Sequence, residues 1–178
     1  RLDPAIRPSL TRGRKSFSYT EGMVRIPEGA SPDIKNKSWS MTADVDVKEN
    51  ASGVIITQGG LFGGWGMYLN QGKPVFHYNF VDVAHYDVAS ADSLTPGKHT
   101  IEMQFAYDGG GIGRGGVATL SVDGKPVAKG RIERTIPIRI TLDETLDIGE
   151  DCGTPVNLSY DVPFRFEGEI ENVTITLP

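Results

Sequence analysis

The chain has 178 residues, enough for one domain with a sizeable core, and is 38% hydrophobic with 22 glycines and 11 prolines, a balance that suits many turns and short strands. Its formal net charge of -5 leaves no basic stripe to neutralise phosphates, which argues against a nucleic-acid binder. No run approaches the roughly 18 apolar residues of a membrane span.

Residues 1–14 carry Pro4, Pro8 and Gly13 without any period and read as an N-terminal connector, with 15–178 as a single domain. A chain that begins at arginine, with no leader pattern, is expected to be a piece of something longer. Phe17 to Tyr19 suits a first edge strand, and Met23 to Ile26 is a short apolar piece stopped by Pro27. Ser31 and Pro32 suit the cap and first position of a brief helical turn. From Trp39 to Val47, apolar residues at 39, 41, 43, 45 and 47 alternate with polar ones, the period of a half-buried strand. Gly53 to Thr57 is a continuous apolar run, as expected of a strand covered on both sides.

Gly59 to Phe80 is the densest aromatic and glycine stretch. It reads as two strands turning at Asn70 to Lys73, and Gly63 to Gly66 predict backbone passing close to something else, with a neighbouring domain preferred to a substrate. On the second strand Phe76, Tyr78 and Phe80 share one face, expected to be core, and His77 and Asn79 share the other, expected to be wet. His99 to Tyr107 alternates again, and the glycine-rich stretch 108–116 is loop. Asp123-Gly124 marks a hairpin. Ile136 to Ile140, broken by Pro137, suits an edge strand. Leu146 to Ile148, Phe164 to Phe166 and Val173 to Leu177 complete about a dozen short strands. No segment carries a helical apolar stripe, so the expected fold is all-β, two antiparallel sheets packed as a β-sandwich.

The chemistry-bearing residues are sparse. His77, His85 and His99 have no partner at a ligand spacing, so a zinc site is disfavoured. Asp143, Asp147, Glu150 and Asp151, with Glu144, form an acidic loop whose first reading is solvated surface and whose second is a structural calcium site, carboxylates and loop carbonyls being what a hard cation takes. Cys152 is the single cysteine, so no internal disulfide forms, and its acidic neighbours would raise a thiol pKa and leave it inert. Gly109 to Gly116 lacks the Lys-Ser/Thr ending of a phosphate loop. Asp44 and Asp46 share a face but are explained by an amphipathic strand, which leaves a glycosidase pair without support. Sugar binding asks less: stacking aromatics and a few polar groups suffice, and Trp65, His77, Asn79, His85 and Tyr86 gather around the hairpin.

The order of Gly53 to Ile56, Met67 to Leu69, Pro96 to Thr100, Val122 to Gly124, Leu146 to Gly149 and Phe166 to Val173 resembles laminin-G-like, concanavalin-A-like jelly-roll modules. Gly22 to Gly29, Gly59 to Trp65, Phe105 to Gly110 and Asp143 to Gly149 are more specifically similar to the C-terminal region of bacterial arylsulfatases. In that family the sulfate-ester chemistry belongs to an upstream α/β domain with a formylglycine made from a Cys/Ser-x-Pro-x-Arg motif. Cys152 is followed by Gly-Thr-Pro-Val, so the motif fails and no catalytic residue carries over. The resemblance implies a non-catalytic accessory domain that needs no cofactor of its own. It would pack on the catalytic sulfatase domain of the same polypeptide and assist with a sulfated or neutral glycan. The alternative is a free-standing, lectin-like carbohydrate-binding module.

Overall fold

The computed structural model describes residues 9–178, and the secondary structure there is almost entirely strand. The strands are β1 (Ser16–Tyr19), β2 (Trp39–Val47), β3 (Gly53–Gly60), β4 (Gly63–Asn70), β5 (Lys73–Phe80), β6 (Ala84–Ala89), β7 (Gly97–Tyr107), β8 (Arg114–Val122), β9 (Lys125–Arg134), β10 (Leu146–Ile148) and β11 (Gly168–Thr176). They form a six-stranded sheet in the order β1-β11-β2-β7-β8-β9 and a five-stranded sheet in the order β10-β3-β4-β5-β6, antiparallel throughout. The all-β sandwich expected from the alternation is therefore observed. Of the connector expected over 1–14, residues 1–8 lie outside those described. Beyond them, Thr11 is buried and donates its hydroxyl to the Ser31 carbonyl at 3.3 Å.

The strict alternation of β2 places Met41, Ala43 and Val45 in the core and turns Asp44 and Asp46 outward. Asp44 accepts a 2.7 Å hydrogen bond from the Thr100 hydroxyl, as a polar residue on the outer face of an amphipathic strand does, so nothing about it singles out a glycosidase pair. Trp39, Trp65 and Phe76 pack edge-on and tilted between the sheets, with centroids 5.0 to 6.4 Å apart. Two hairpins turn through consecutive positive φ angles, Gln71 at 49° with Gly72 at 80°, and Asp123 at 50° with Gly124 at 78°. Both are the geometry that the right-handed strand twist prefers, and both fall where the sequence marks them.

Three expected elements differ. Where a helical turn from Ser31 was expected, a 3-10 turn lies at Glu28–Ala30, and Ser31 is on its C-terminal side, where its hydroxyl donates to the Pro27 carbonyl. Ile136 to Ile140 is not an edge strand: Ile136 and Ile140 are buried in the core, while Pro137 interrupts pairing. Phe164 to Phe166 is likewise irregular, tied to the edge of β3 by the Phe164 carbonyl, which accepts from the Val54 amide at 3.0 Å. That last segment decides what happens to the outer face of the five-stranded sheet.

Candidate functional site

Register sorts the five expected binding residues onto two faces. Gln58, Trp65, Tyr78 and Tyr86 lie abreast across β3, β4, β5 and β6 and point into the sandwich. Trp65 is fully buried and gives its indole N–H to Gln58 Oε1 at 2.9 Å, so it is a core residue with no surface to offer a sugar. Tyr86 packs part-buried against the same core. Thr57, Gly66, His77 and Asp87 form the next row, and Gly64, Asn79 and His85 another, on the opposite face. His77, Asn79 and His85 are thus brought together, and Trp65 and Tyr86 are separated from them by the thickness of the sheet.

The outer face is covered over β3, β4 and β5, and open to solvent along β6 at His85 and Asp87. Residues 149–166 cross it, seating Tyr160 and Phe164 on Tyr68 of β4, with the Tyr160 and Phe164 rings stacked at 4.6 Å. Val54, Val75 and Val156 complete this second, smaller apolar cluster. Under the cover His77 is 1% exposed and Asn79 is fully buried. The glycines are explained by close contacts within the chain, of which the crossing supplies one. A side chain on Gly66 would meet Val156, one on Gly64 would overlap the Gln58 carbonyl, and one on Gly63 would press on the Ile140 carbonyl. The close approach that the glycines foretell is internal to the chain, and they require no neighbouring domain.

Asn79 is the knot of this end of the sheet. Its amide nitrogen donates to the carbonyls of Gly60, Leu61 and Val156 at 2.9 to 3.3 Å, and its oxygen accepts from the Asp82 amide at 2.8 Å. One side chain therefore ties the β3–β4 turn, the β5–β6 turn and the covering segment together. Beside it runs a line of polar groups. Asp87 meets His77 Nδ1 at 2.7 Å, His77 Nε2 meets His85 Nδ1 at 3.1 Å, and His85 Nε2 meets Asp82 at 3.1 Å. Asn157 reaches in from the cover, donating to the Tyr68 hydroxyl at 2.8 Å.

On the other side of Asn79 a cavity of about 450 Å³ opens between the two turns and the 139–144 loop. Phe62, 78% exposed at the tip of the β3–β4 turn, forms one wall, with Val81 and Leu142. Arg139, Asp143, Glu144 and Thr154 supply its polar groups. Glu144 accepts from the Thr154 hydroxyl at 2.8 Å, and the same hydroxyl accepts from the Leu61 amide at 2.8 Å, which fixes the turn to the loop. Arg139 donates to the Thr141 and Leu142 carbonyls of its own loop at 2.7 and 3.0 Å. Phe62, Arg139 and Thr154 are not singled out by the sequence. The glycines on either side of Leu61-Phe62 are the one signal that an aromatic is being held out at a turn.

The acidic residues read as a calcium candidate are divided. Asp147 is buried and accepts from the backbone amides of Arg25 and Cys152. Glu150 pairs with Arg165 at 3.1 Å, Asp151 accepts from Tyr160, and Asp143 faces the cavity. Among the described residues no group of three or more His, Cys, Asp or Glu is arranged to hold a metal ion. Burial, then Asp147 and Glu150, push the Cys152 thiol up to about 12, which keeps it in the unreactive form.

No family model and no curated protein matches the chain. Solved structures do. A carbohydrate-binding module of the CBM40 class from the Ruminococcus gnavus IT-sialidase, bound to α2,3-sialyllactose, matches with TM-score 0.60 and 13% identity, over 92% of this chain and 89% of that one. Its complex with α2,6-sialyllactose matches with TM-score 0.58 and 13% identity, over 92% and 90%. Domains LG4-5 of the mouse laminin α1 chain match with TM-score 0.53 and 16% identity over 92% of this chain, which spans 39% of the laminin fragment. At such identities the likeness establishes the laminin-G-like, lectin-type β-sandwich fold, and it carries no link to arylsulfatases.

Proposed function

We propose that this chain is a lectin-like carbohydrate-binding module, non-catalytic, whose ligand site is the cavity beside Phe62. The observation that carries the reading is an aromatic ring 78% exposed on a braced turn, in the wall of a cavity that polar and charged residues also line. A pyranose ring presents apolar C–H faces to an aromatic and hydroxyls to carboxylates, which is what Phe62, Asp143 and Glu144 offer. Two carboxylates against one guanidinium favour a neutral sugar over a sulfated one, whose charge they would repel. The sandwich shared with sialyllactose-binding modules supports the class of function. The test is a panel of neutral and sulfated glycans against wild type and Phe62→Ala. Binding of a neutral glycan, weakened about tenfold or more in Phe62→Ala, is expected, and a blank panel would sink the reading.

The second reading is an accessory domain of an arylsulfatase-type hydrolase. The motif resemblance supports it, as do the apolar side chains of Phe62, Val81, Val83 and Leu142, which stand 43% to 80% exposed at one end of the sandwich and suit burial against a neighbouring domain. Association with an arylsulfatase catalytic domain supplied in trans, abolished by Phe62→Asp, is the measurement for it. No association at any accessible concentration would remove it.

A further inference from the structure

His77 and His85 are engaged at all four ring nitrogens. An ionised carboxylate only accepts, so Asp87 at 2.7 Å places a hydrogen on His77 Nδ1, and Asp82 at 3.1 Å places one on His85 Nε2. Asp87 is nearer to His77 Nδ1 than the Asn157 amide nitrogen at 3.1 Å, whose hydrogens have the Tyr68 hydroxyl and Asp87 itself to serve. Two neutral rings with those hydrogens would aim lone pairs at each other across the 3.1 Å between His77 Nε2 and His85 Nδ1. The ring centroids are 5.2 Å apart, and subtracting the 3.1 Å gap leaves 2.1 Å, about what two centroid-to-nitrogen radii occupy. The facing nitrogens therefore lie close to the line joining the rings. A metal shared by both would need lone pairs converging at an angle on a third point. A head-on pair calls for a hydrogen on the line.

We propose that His77 and His85 share a third ring proton, held between Asp82 and Asp87, and that losing it turns His85 outward and releases the Asp82 side chain on the 81–83 turn bordering the cavity. His77 cannot be the ring that moves, being 1% exposed beneath the cover, whereas His85 has 35% of its side chain in solvent. When His85 leaves, the Asp82 carboxylate loses its histidine partner, and Val81 and Val83 lie on either side of it. The groups facing the pair are Asp82 from the turn, Asp87 from β6, Asn157 from the cover and, through Asn157, the Tyr68 phenol from β4, which burial keeps protonated. β9 meets β6 where Gly130 touches Val88, and its Arg131 is taken by Asp108 and Glu133. The consequence for ligand affinity rests on the cavity reading above; the shared proton does not.

The experiment is nuclear magnetic resonance of the full chain with ring-labelled histidine and labelled valine methyls, from about pH 5 to about pH 8. Expected are a scalar coupling across the His77–His85 nitrogens at the acidic end, its loss as pH rises, and Val81 and Val83 methyl shifts following the same step. His85→Ala, at an exposed edge position, abolishes both signals while the Trp65 indole resonance stays in place. Two facing nitrogens that carry no proton at any pH in the range would overturn the proposal, as would valine methyls indifferent to the step. No sugar enters this readout, so a chain that binds no glycan yet shows the coupling supports the shared proton and defeats only the ligand reading.

Discussion

Tyr160 donates its phenolic hydrogen to Oδ2 of Asp151 at 2.7 Å, and Oδ1 of that buried carboxylate has no partner among the described residues. Burial pushes the Asp151 carboxyl from 3.8 up to about 6, against the Tyr160 hydroxyl and the Gly153 and Val156 amides, with Asp147 adding to the rise. Between pH 3.8 and about 6 the folded chain thus keeps a proton that the unfolded chain has released. The contribution to stability is fully present below 3.8 and is lost as pH rises through about 6, the reverse of an ordinary salt-bridged carboxylate. The size is about 3 kcal/mol at most. Asp33, Asp108 and Asp123 lie below their ordinary value and act in the opposite direction, so the readout is a difference between proteins. Urea unfolding at about pH 4 and about pH 7 should show Asp151→Asn gaining on wild type as pH rises. Parallel pH curves would contradict the assignment.

Trp65 and Phe62 sit three residues apart and should respond oppositely to the same substitution. Trp65→Ala empties a fully buried site between Trp39 and Phe76 and strands the Gln58 carbonyl oxygen, at a cost of about 3–5 kcal/mol. Phe62→Ala removes an exposed ring and should change stability by less than about 0.5 kcal/mol. Thermal unfolding of the two variants side by side checks this. A folded, stable Trp65→Ala would show that the core placement is wrong.

The strands that the sequence reveals are those whose burial is decided locally. β2 alternates because one face meets the core, and β3 runs apolar because the 149–166 segment covers its other face. His77 and Asn79 follow the alternation correctly, on the face opposite Phe76 and Tyr78, yet that face is buried. The error comes from the cover. Val156, Tyr160 and Phe164 belong to no strand or helix, so no period announces that they will lie on Tyr68. Buried polar groups then survive because each finds a partner, and partners such as Asn157 lie some 80 residues away, beyond any spacing rule. The cavity is hidden for the same reason, since it forms only where the 61–62 turn, Val81 and the 139–144 loop meet.

Gly64 should be intolerant of the smallest side chain. Its Cβ would overlap the Gln58 carbonyl and Gly59, which are backbone atoms of the paired strand and cannot turn aside as a side chain would. Gly64→Ala is expected to cost about 1–3 kcal/mol. Gly29 is the control: a methyl there would have nothing within 4 Å and would meet no left-handed φ, so Gly29→Ala should stay within about 0.5 kcal/mol of wild type. Equal chemical-unfolding midpoints for the two alanine variants would disprove the packing account of the glycine run.

Asn79 allows a sharper ordering, because its amide serves acceptors and a donor at once. Asn79→Ala leaves the Gly60, Leu61 and Val156 carbonyls and the Asp82 amide without the side chain that joins them, and a loss of about 2–4 kcal/mol is expected. Asn79→Asp keeps the oxygen that serves the Asp82 amide but turns a second oxygen toward three carbonyl oxygens in a fully buried position. At neutral pH the aspartate must either carry an unpaired buried charge or take up a proton, so this near-isosteric change should destabilise more than truncation to alanine. Acidification should narrow the gap, because a protonated carboxyl regains one donor for the carbonyls. Unfolding midpoints for both variants at about pH 4 and about pH 7 measure it, the pH values bracketing the change in charge. If Asn79→Asp matches wild type at the higher pH, the three carbonyl contacts contribute nothing, and the turn beside the cavity is held by backbone alone.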